Sequence, residues 1–456
     1  MKFRGRTTAS SRNHQTYRSP LKALPTACAL ILALAVIAPH PAAAQTFSVI
    51  YNFASGPLGA NPFASLVMDR DGNLYGTTAN GGAGTCPSFF DYGPTGCGTV
   101  FKFNPSTGRF TVLYEFTGGT DGATPFAPLL IAPDGTLYGS TTAGGDDSCS
   151  GSPPGCGVIF HLQPRPTPPR NVLENYWIET PIYSFQGSPD GQYPVGDLAM
   201  DQSGDIYGST ELGGTINSGV VFELTSSNGS WSESIPHGFL CNSGDGCEPT
   251  GGVTLYAGDI YGGAGGGAHA NGTVYQLVPT GSGWMENLLY SFTGGSDGSG
   301  PGSGVTFDSS GNLYSSTYSG GSDNGGTVFE LSPPGVWTTF RLLYTFTEVA
   351  NGNGGPLHSD LIMDQAGNLY GTTFFDGAYG EGAVFKLTPT MGGYTYTSLH
   401  DFCSGAGCSD GYEPAGTLVM DSSGNLYGTA SGGGSPLGAC DSGGYGNCGV
   451  IFKITP

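Results

Sequence analysis

Positive charge is scarce in this 456-residue chain: 14 Lys and Arg stand against 35 Asp and Glu. Six of those bases (Lys2, Arg4, Arg6, Arg12, Arg18 and Lys22) fall in the first 44 residues, which contain no acid, so the rest carries eight bases against all 35 acids, a net charge near −27. Such a surface repels phosphate backbones and anionic lipid, which excludes nucleic acid as a partner. Eight bases are also too few for an arginine cluster that grips an anionic substrate. Beyond residue 44 no apolar run approaches the ~18 residues that a spanning helix needs, so no membrane insertion is expected there. Cys-x₂-Cys pairs and a His-Glu-x-x-His helix are missing as well, which removes two familiar zinc arrangements.

Residues 1–44 read instead as an export signal: the basic stretch, an apolar run from Ala27 to Ala38, then Ala42-Ala43-Ala44 before Gln45. Cleavage after Ala44 is expected, placing the protein in the periplasm or the medium. Gly (81) and Pro (32) form about a quarter of the chain, a proportion that without periodicity would indicate disorder.

Periodicity is present. An Asn/Asp-Leu/Ile-Tyr-Gly core starts at Asn73, Thr136, Asp205, Asp259, Asn312, Asn368 and Asn425. Around each core lie four short strand-like runs: A, apolar and ending in Asp (Leu66-Val67-Met68-Asp69); B, Leu-Tyr-Gly-Thr-Thr; C, Gly-Thr-Val-Phe-Lys-Leu or a variant, as at 98–103; and D, as in Val112-Leu113-Tyr114-Glu115-Phe116. Asp-x-x-Gly-Asn between A and B is a hairpin signal, with Gly supplying positive φ. Meandering four-stranded sheets repeated radially make a propeller, so residues 45–456 are predicted to form a single all-β domain, a seven-bladed β-propeller. The last unit ends after its C run, whereas Phe47 to Phe53 is a lone D run. That N-terminal strand is expected to complete blade seven and close the ring, since an unpaired edge invites aggregation. Around the fourth core, Ile235 to Phe239 and Gly251 to Leu255 depart most from the pattern, and distortion is expected there.

Ten cysteines follow residue 44 in five neighbouring couples: Cys86 with Cys97, Cys149 with Cys156, Cys241 with Cys247, Cys403 with Cys408, and Cys440 with Cys448. An even count in an exported chain favours disulfides. Three couples lie in B–C connections and two in D–A connections, which a meander places on one face, the face most suited to carry function. Asp-Gly recurs in the D–A connections at Asp121, Asp190, Asp245, Asp297 and Asp410. Without an Asp-x-Asp-x-Asp ladder it reads as a turn and not as a calcium loop, so no metal and no cofactor are expected. The B–C loops offer Phe89, Phe90, Tyr92, Tyr318, Phe374, Phe375, Tyr379 and Tyr445, aromatics able to stack on sugar C–H surfaces, and His269 in a glycine-rich loop. No catalytic constellation is assigned.

The composite unit, Leu-x-x-Asp-x-x-Gly-Asn-Leu-Tyr-Gly-Thr-Thr, then Gly-Gly, Gly-Thr-Val-Phe-Lys-Leu and Val-Leu-Tyr-x-Phe, resembles the tandem GloVer (Gloeo-Verruco) repeat of exported bacterial proteins. Residues 66–116 and 361–402 carry the resemblance most fully, and it covers nearly everything after residue 44. It implies a propeller-like repeat protein and no particular activity. The expected function is a monomeric, non-catalytic module whose loop face binds glycan or a cell-surface partner. The alternatives are a propeller lyase or hydrolase acting on a neutral substrate at the axial mouth, and a purely structural surface or matrix protein.

Overall fold

The computed structural model describes residues 45–54, 56–87, 95–150, 154–166, 177–242, 244–333, 339–347, 355–356, 359–434 and 448–456; the expected export signal lies outside them. From Gln45 to Pro456 the chain forms seven blades, each an antiparallel meander of four strands; Gly246–Cys247 adds a fifth short strand to blade 4, and Gly191–Gln192 pairs with Leu212–Gly213 in a separate two-stranded ladder. In blade 1 the four are Val67–Met68 (A), Leu74–Thr78 (B), Thr99–Asn104 (C) and Arg109–Glu115 (D). Blades 2 to 6 repeat the order and end in D strands Trp177–Ser184, Ser230–Gly238, Gly283–Ser291, Thr339–Thr347 and Gly393–Asp401. Blade 7 takes A, B and C from Val419–Met420, Leu426–Ala430 and Val450–Thr455. Its fourth strand is the N-terminal Thr46–Asn52, antiparallel to strand C from Thr46 opposite Thr455 to Asn52 opposite Val450. The protein is a seven-bladed β-propeller closed by its own first strand.

The repeat motif explains itself in the A–B turn. Asp69 Oδ1 accepts the backbone N–H of Asp71 (3.0 Å) and Asn73 (2.9 Å), while Oδ2 accepts Asn73 Nδ2 (2.7 Å) and the Tyr75 hydroxyl (3.0 Å). Asp308, Asp364 and Asp421 receive the same four bonds from their own turns and tyrosines. The glycine after the tyrosine has a separate cause: a Cβ on Gly76 would lie 2.6 Å from Cζ of Phe101, its cross-strand partner in C. The recurring Tyr-Gly pair thus makes one turn bond and one vacancy for a phenyl ring.

That ring belongs to the seam between blades. The Phe at the end of the D run of each blade, just past or within the strand, meets the C-strand aromatic of the next edge-on, as in Phe116 with Phe160 (5.2 Å), Phe292 with Phe329 (5.1 Å) and Phe402 with Phe452 (5.2 Å). At the closure Phe53 meets Phe101 at 5.4 Å, so blade 7 joins blade 1 as every other pair is joined. The core therefore lies between blades: one cluster unites Tyr75, Val100 and Phe116 of blade 1 with Leu129, Leu137 and Phe160 of blade 2. Each edge-to-face pair contributes about 0.5–1.5 kcal/mol beyond its buried area.

Blade 4, expected to be distorted, keeps the four-stranded meander and differs from the others in a fifth short strand, Gly246–Cys247, on its Asp259–Gly266 strand. Its A strand Thr254–Tyr256 pairs with Asp259–Gly266 through a two-residue turn at Ala257 and Gly258, with φ of 55° and 94°. This tight turn replaces the longer Asp-x-x-Gly-Asn link, so the departure in sequence exchanges one hairpin for another.

Candidate functional site

The D–A and B–C connections emerge on one face and are tied to each other. Ala60 bridges Asn80, Ala123 bridges Ala143, Ser299 bridges Ser319 and Tyr412 bridges Gly432, while Gly191–Gln192 and Gly246–Cys247 make short ladders of the same kind. Disulfides Cys86–Cys97, Cys149–Cys156, Cys241–Cys247 and Cys403–Cys408 staple this face as expected. The fifth couple includes Cys440, which lies outside the described residues.

The Asp-Gly aspartates are occupied by turn bonds. Asp121 accepts the N–H of Thr117 (2.8 Å), the Thr117 hydroxyl (2.6 Å) and the hydroxyl of Tyr114 in strand D (3.0 Å). Asp190 and Asp297 bind Tyr183 and Tyr290 in the same way, and Asp245 and Asp410 bind His237 and His400 instead.

The sequence candidates do not converge. His269 is exposed in the turn between strands B and C of blade 4, and its backbone oxygen accepts from Asn271 Nδ2 at 2.8 Å. Tyr318 is half-buried, and burial raises its phenol above the ordinary value. Phe374 contacts Phe375 edge-on at 4.5 Å and packs with Phe63, Phe126 and Ala415. Tyr379 is 56% exposed. Phe89, Phe90, Tyr92 and Tyr445 lie outside the described residues.

Beneath Phe63 and Phe126 the axis holds a ring of seven residues, each just before the buried Leu or Val of strand A: Ser65, Pro128, Asp197, Gly252, Gly304, Asp360 and Thr417. Side chains here accept from the backbone of the preceding blade. Gly304 N–H reaches Asp360 Oδ1 (2.5 Å), Asp360 N–H reaches Thr417 Oγ1 (2.7 Å), and Thr417 N–H reaches Ser65 Oγ (2.6 Å). Asp197 follows Pro128 in this ring, and proline has no N–H to offer. Burial, and then the charge of Asp360, push the Asp197 carboxyl well above its ordinary value; burial lifts Asp360 to about 6 against the bond from Gly304. Both aspartates are partly buried and line a cavity whose volume of about 20 Å³ admits one water. Sequence reasoning missed this pair, although the signal was present: two acids in a column otherwise filled by Gly, Ser, Thr and Pro. A wider groove of about 770 Å³ lies between blades 6 and 7 at the opposite end, beside Asp364, Tyr370 and Lys386.

The seams hold a second set of unforeseen acids. Four seams stack the strand-D aromatic of one blade on an aromatic of the next blade's strand D: Tyr51 on Phe110 (4.1 Å), Tyr290 on Phe340 (4.6 Å), Tyr344 on Tyr396 (4.6 Å) and His400 on Phe47 (3.5 Å). At the other three the same register position holds Glu179, Glu233 or Glu286. Each of these glutamates has Oε1 buried without a partner. Burial first, then the nearby Asp121 or Asp190, raise Glu179 to about 8 and Glu233 to about 7. Only the seam between blades 3 and 4 adds a histidine: His237 Nε2 lies 3.1 Å from Asp245 Oδ1 and 4.0 Å from Glu286 Oε2.

Similarity to solved structures is distant. The chain is similar to a polysaccharide lyase, an ulvan lyase (12% identity, TM-score 0.45, 78% of this chain and 86% of that one). It is also similar to a putative oxidoreductase (glucose dehydrogenase) from Thermus thermophilus (15%, TM-score 0.40, 90% and 99%) and to a luciferin-regenerating enzyme (12%, TM-score 0.39, 90% and 95%). No curated protein matches. The profile of the Gloeobacter/Verrucomicrobia repeat matches three times, over residues 36–176, 93–306 and 264–456, and between them these matches take in every blade. The chain belongs to the Gloeobacter/Verrucomicrobia repeat family.

Proposed function

We propose that this protein is an exported, non-catalytic binding module whose stapled face holds a neutral glycan or a cell-surface partner. The observation that carries the reading is the contrast between a closed axis, with room for one water, and a loop face made rigid by cross-paired connections and disulfides. Loops already fixed in place lose little entropy on binding. The face presents apolar side chains to solvent, with Tyr379 56%, Ile216 53% and Leu240 49% exposed. The disulfides suit an oxidising compartment, and among the described residues no helix is long and apolar enough to cross a membrane. The acidic surface favours neutral or basic ligands over polyanions.

A thermal-shift and glycan-panel screen of the purified protein tests this. A shift with one sugar class that Tyr379→Ala or Ile216→Ser weakens supports the face; no binding to any glycan or envelope extract overturns the module. The Asp197–Asp360 pair favours a second reading, an enzyme using one carboxyl as acid and the other as base. Turnover that Asp197→Asn abolishes without loss of folding would establish it.

A further inference from the structure

We propose that the seam between blades 3 and 4 binds one divalent transition-metal ion of the zinc class through His237, Asp245 and Glu286. Their three ligand atoms lie within 4.8 Å of one another, the only such His/Cys/Asp/Glu group among the described residues. The 3.1 Å from His237 Nε2 to Asp245 Oδ1 suits two ligands of one ion as well as a shared proton. A metal with bonds of about 2.0–2.2 Å places neighbouring ligand atoms roughly that far apart. Glu286 Oε2, 4.0 Å from the same nitrogen, needs a shift of about 1–1.5 Å to complete a three-ligand set, within the reach of a side-chain torsion.

Oε1 of Glu286 is buried without a hydrogen bond, as it is in Glu179 and Glu233, so that feature belongs to all three acid seams. Two further facts point to an ion and not to an ordinary seam. The ligand side chains are largely but not wholly buried, with 6% of Asp245, 15% of Glu286 and 18% of His237 exposed, so the centre is in contact with solvent. Lastly, the molecule carries its own controls. The seams of blades 1–2 and 2–3 have the same Asp and Glu but Tyr114 or Tyr183 in place of the histidine, and a neutral phenol is a poor zinc ligand. The seam of blades 6–7 has His400 and Asp410 but Phe47 at the glutamate position, stacked on the imidazole. Only one seam unites all three ligand types. Asp245 is already oriented by N–H bonds from Leu240 and Gly246, both 2.7 Å, which fixes the carboxylate for a ligand as an outer-shell contact does. The ion would take the place of the proton between Nε2 and Oδ1, and that proton leaves to solvent.

Metal-stripped full-length protein titrated with Co²⁺ near pH 7.5, followed by visible absorption and then by Zn²⁺ competition, tests the site. The expected result is one equivalent of Co²⁺ with a ligand-field band that Zn²⁺ abolishes, and a higher apparent melting temperature with Zn²⁺. His237→Tyr installs the side chain that two other seams already accommodate, so folding is retained while binding weakens at least about 100-fold; Glu286→Gln weakens it about tenfold or more. His400→Tyr leaves the titration unchanged. Absence of saturable Co²⁺ binding, or binding that His237→Tyr leaves intact, overturns the proposal and identifies the group as a hydrogen-bonded seam like its neighbours.

Discussion

The seams of this propeller fall into two kinds that differ at one register position. Four close with stacked rings, such as Tyr290 on Phe340, while the three consecutive seams from blade 1 to blade 4 put Glu179, Glu233 or Glu286 there, facing an aspartate. Both kinds keep the edge-to-face pair deeper in the seam, at 5.2 Å for Phe116 with Phe160 and 5.1 Å for Phe292 with Phe329. The apolar contact therefore builds the ring, and the outer position is free to vary. What it varies is the charge state: a glutamate against an aspartate in a half-dry seam holds its proton near neutrality, whereas a stacked ring is indifferent to pH.

The comparison can be broken most severely by transplanting the acid. Phe340→Glu puts a carboxyl beside Asp297 in a seam built for stacking and is expected to cost about 3 kcal/mol at pH 8 in urea unfolding, because the charge finds no partner. The reverse exchange has the opposite sign and depends on pH. Glu179 and Glu233 have folded pKa values raised to about 8 and about 7 from 4.5, so the stability they confer is complete below about pH 4.5 and is lost as pH climbs through 7 to 8. The double variant Glu179→Phe with Glu233→Phe should match the parent at pH 5 and exceed it by about 2 kcal/mol at pH 9, a total that allows for solvent screening. Equal gains at both pH values would show that the glutamates are not protonated in the seam. The smallest effect concerns what the two kinds share: Tyr114→Phe and Tyr290→Phe each remove a hydroxyl bond to a turn aspartate and should cost about 1 kcal/mol alike, since the Thr117 and Thr293 donors remain.

Legibility in the sequence followed repetition. The A–B turn, the four strands and the closing role of Phe47 to Phe53 were all readable because each rests on residues that recur from blade to blade or, in the last case, are missing once. Blade 4 looked irregular because Ile235 to Phe239 and Gly251 to Leu255 depart from the consensus, yet both segments still supply strands, Ser230–Gly238 and Thr254–Tyr256. The acids were less visible. Asp197 and Asp360 matter through a ring assembled from seven distant segments, and no local pattern shows that Pro128 withholds a donor from Asp197. Glu179, Glu233 and Glu286 look like ordinary solvent-side residues of a strand until the next blade covers them. His237 passes for a variant of the strand-D tyrosine, since it makes the same bond to the turn aspartate. The loop aromatics were named from composition, and of these Phe374 packs against Phe63, Phe126 and Ala415.

The closing strand has a consequence for how the molecule is made. Thr46–Asn52 is the first strand to emerge, yet its partner Val450–Thr455 is the last, so the two must meet across the whole length of the chain. Joining ends about 400 residues apart costs on the order of 5 kcal/mol in loop entropy if nothing intervenes, a cost that shrinks to that of a short-range docking step once blades 1 to 6 have stacked and brought the gap together. Blade 7 is therefore a latch that engages only on a finished ring. A chain of this design stays unsealed until its final strand is delivered, and a chain cut short before Val450 would present a sticky open edge instead of a closed circle.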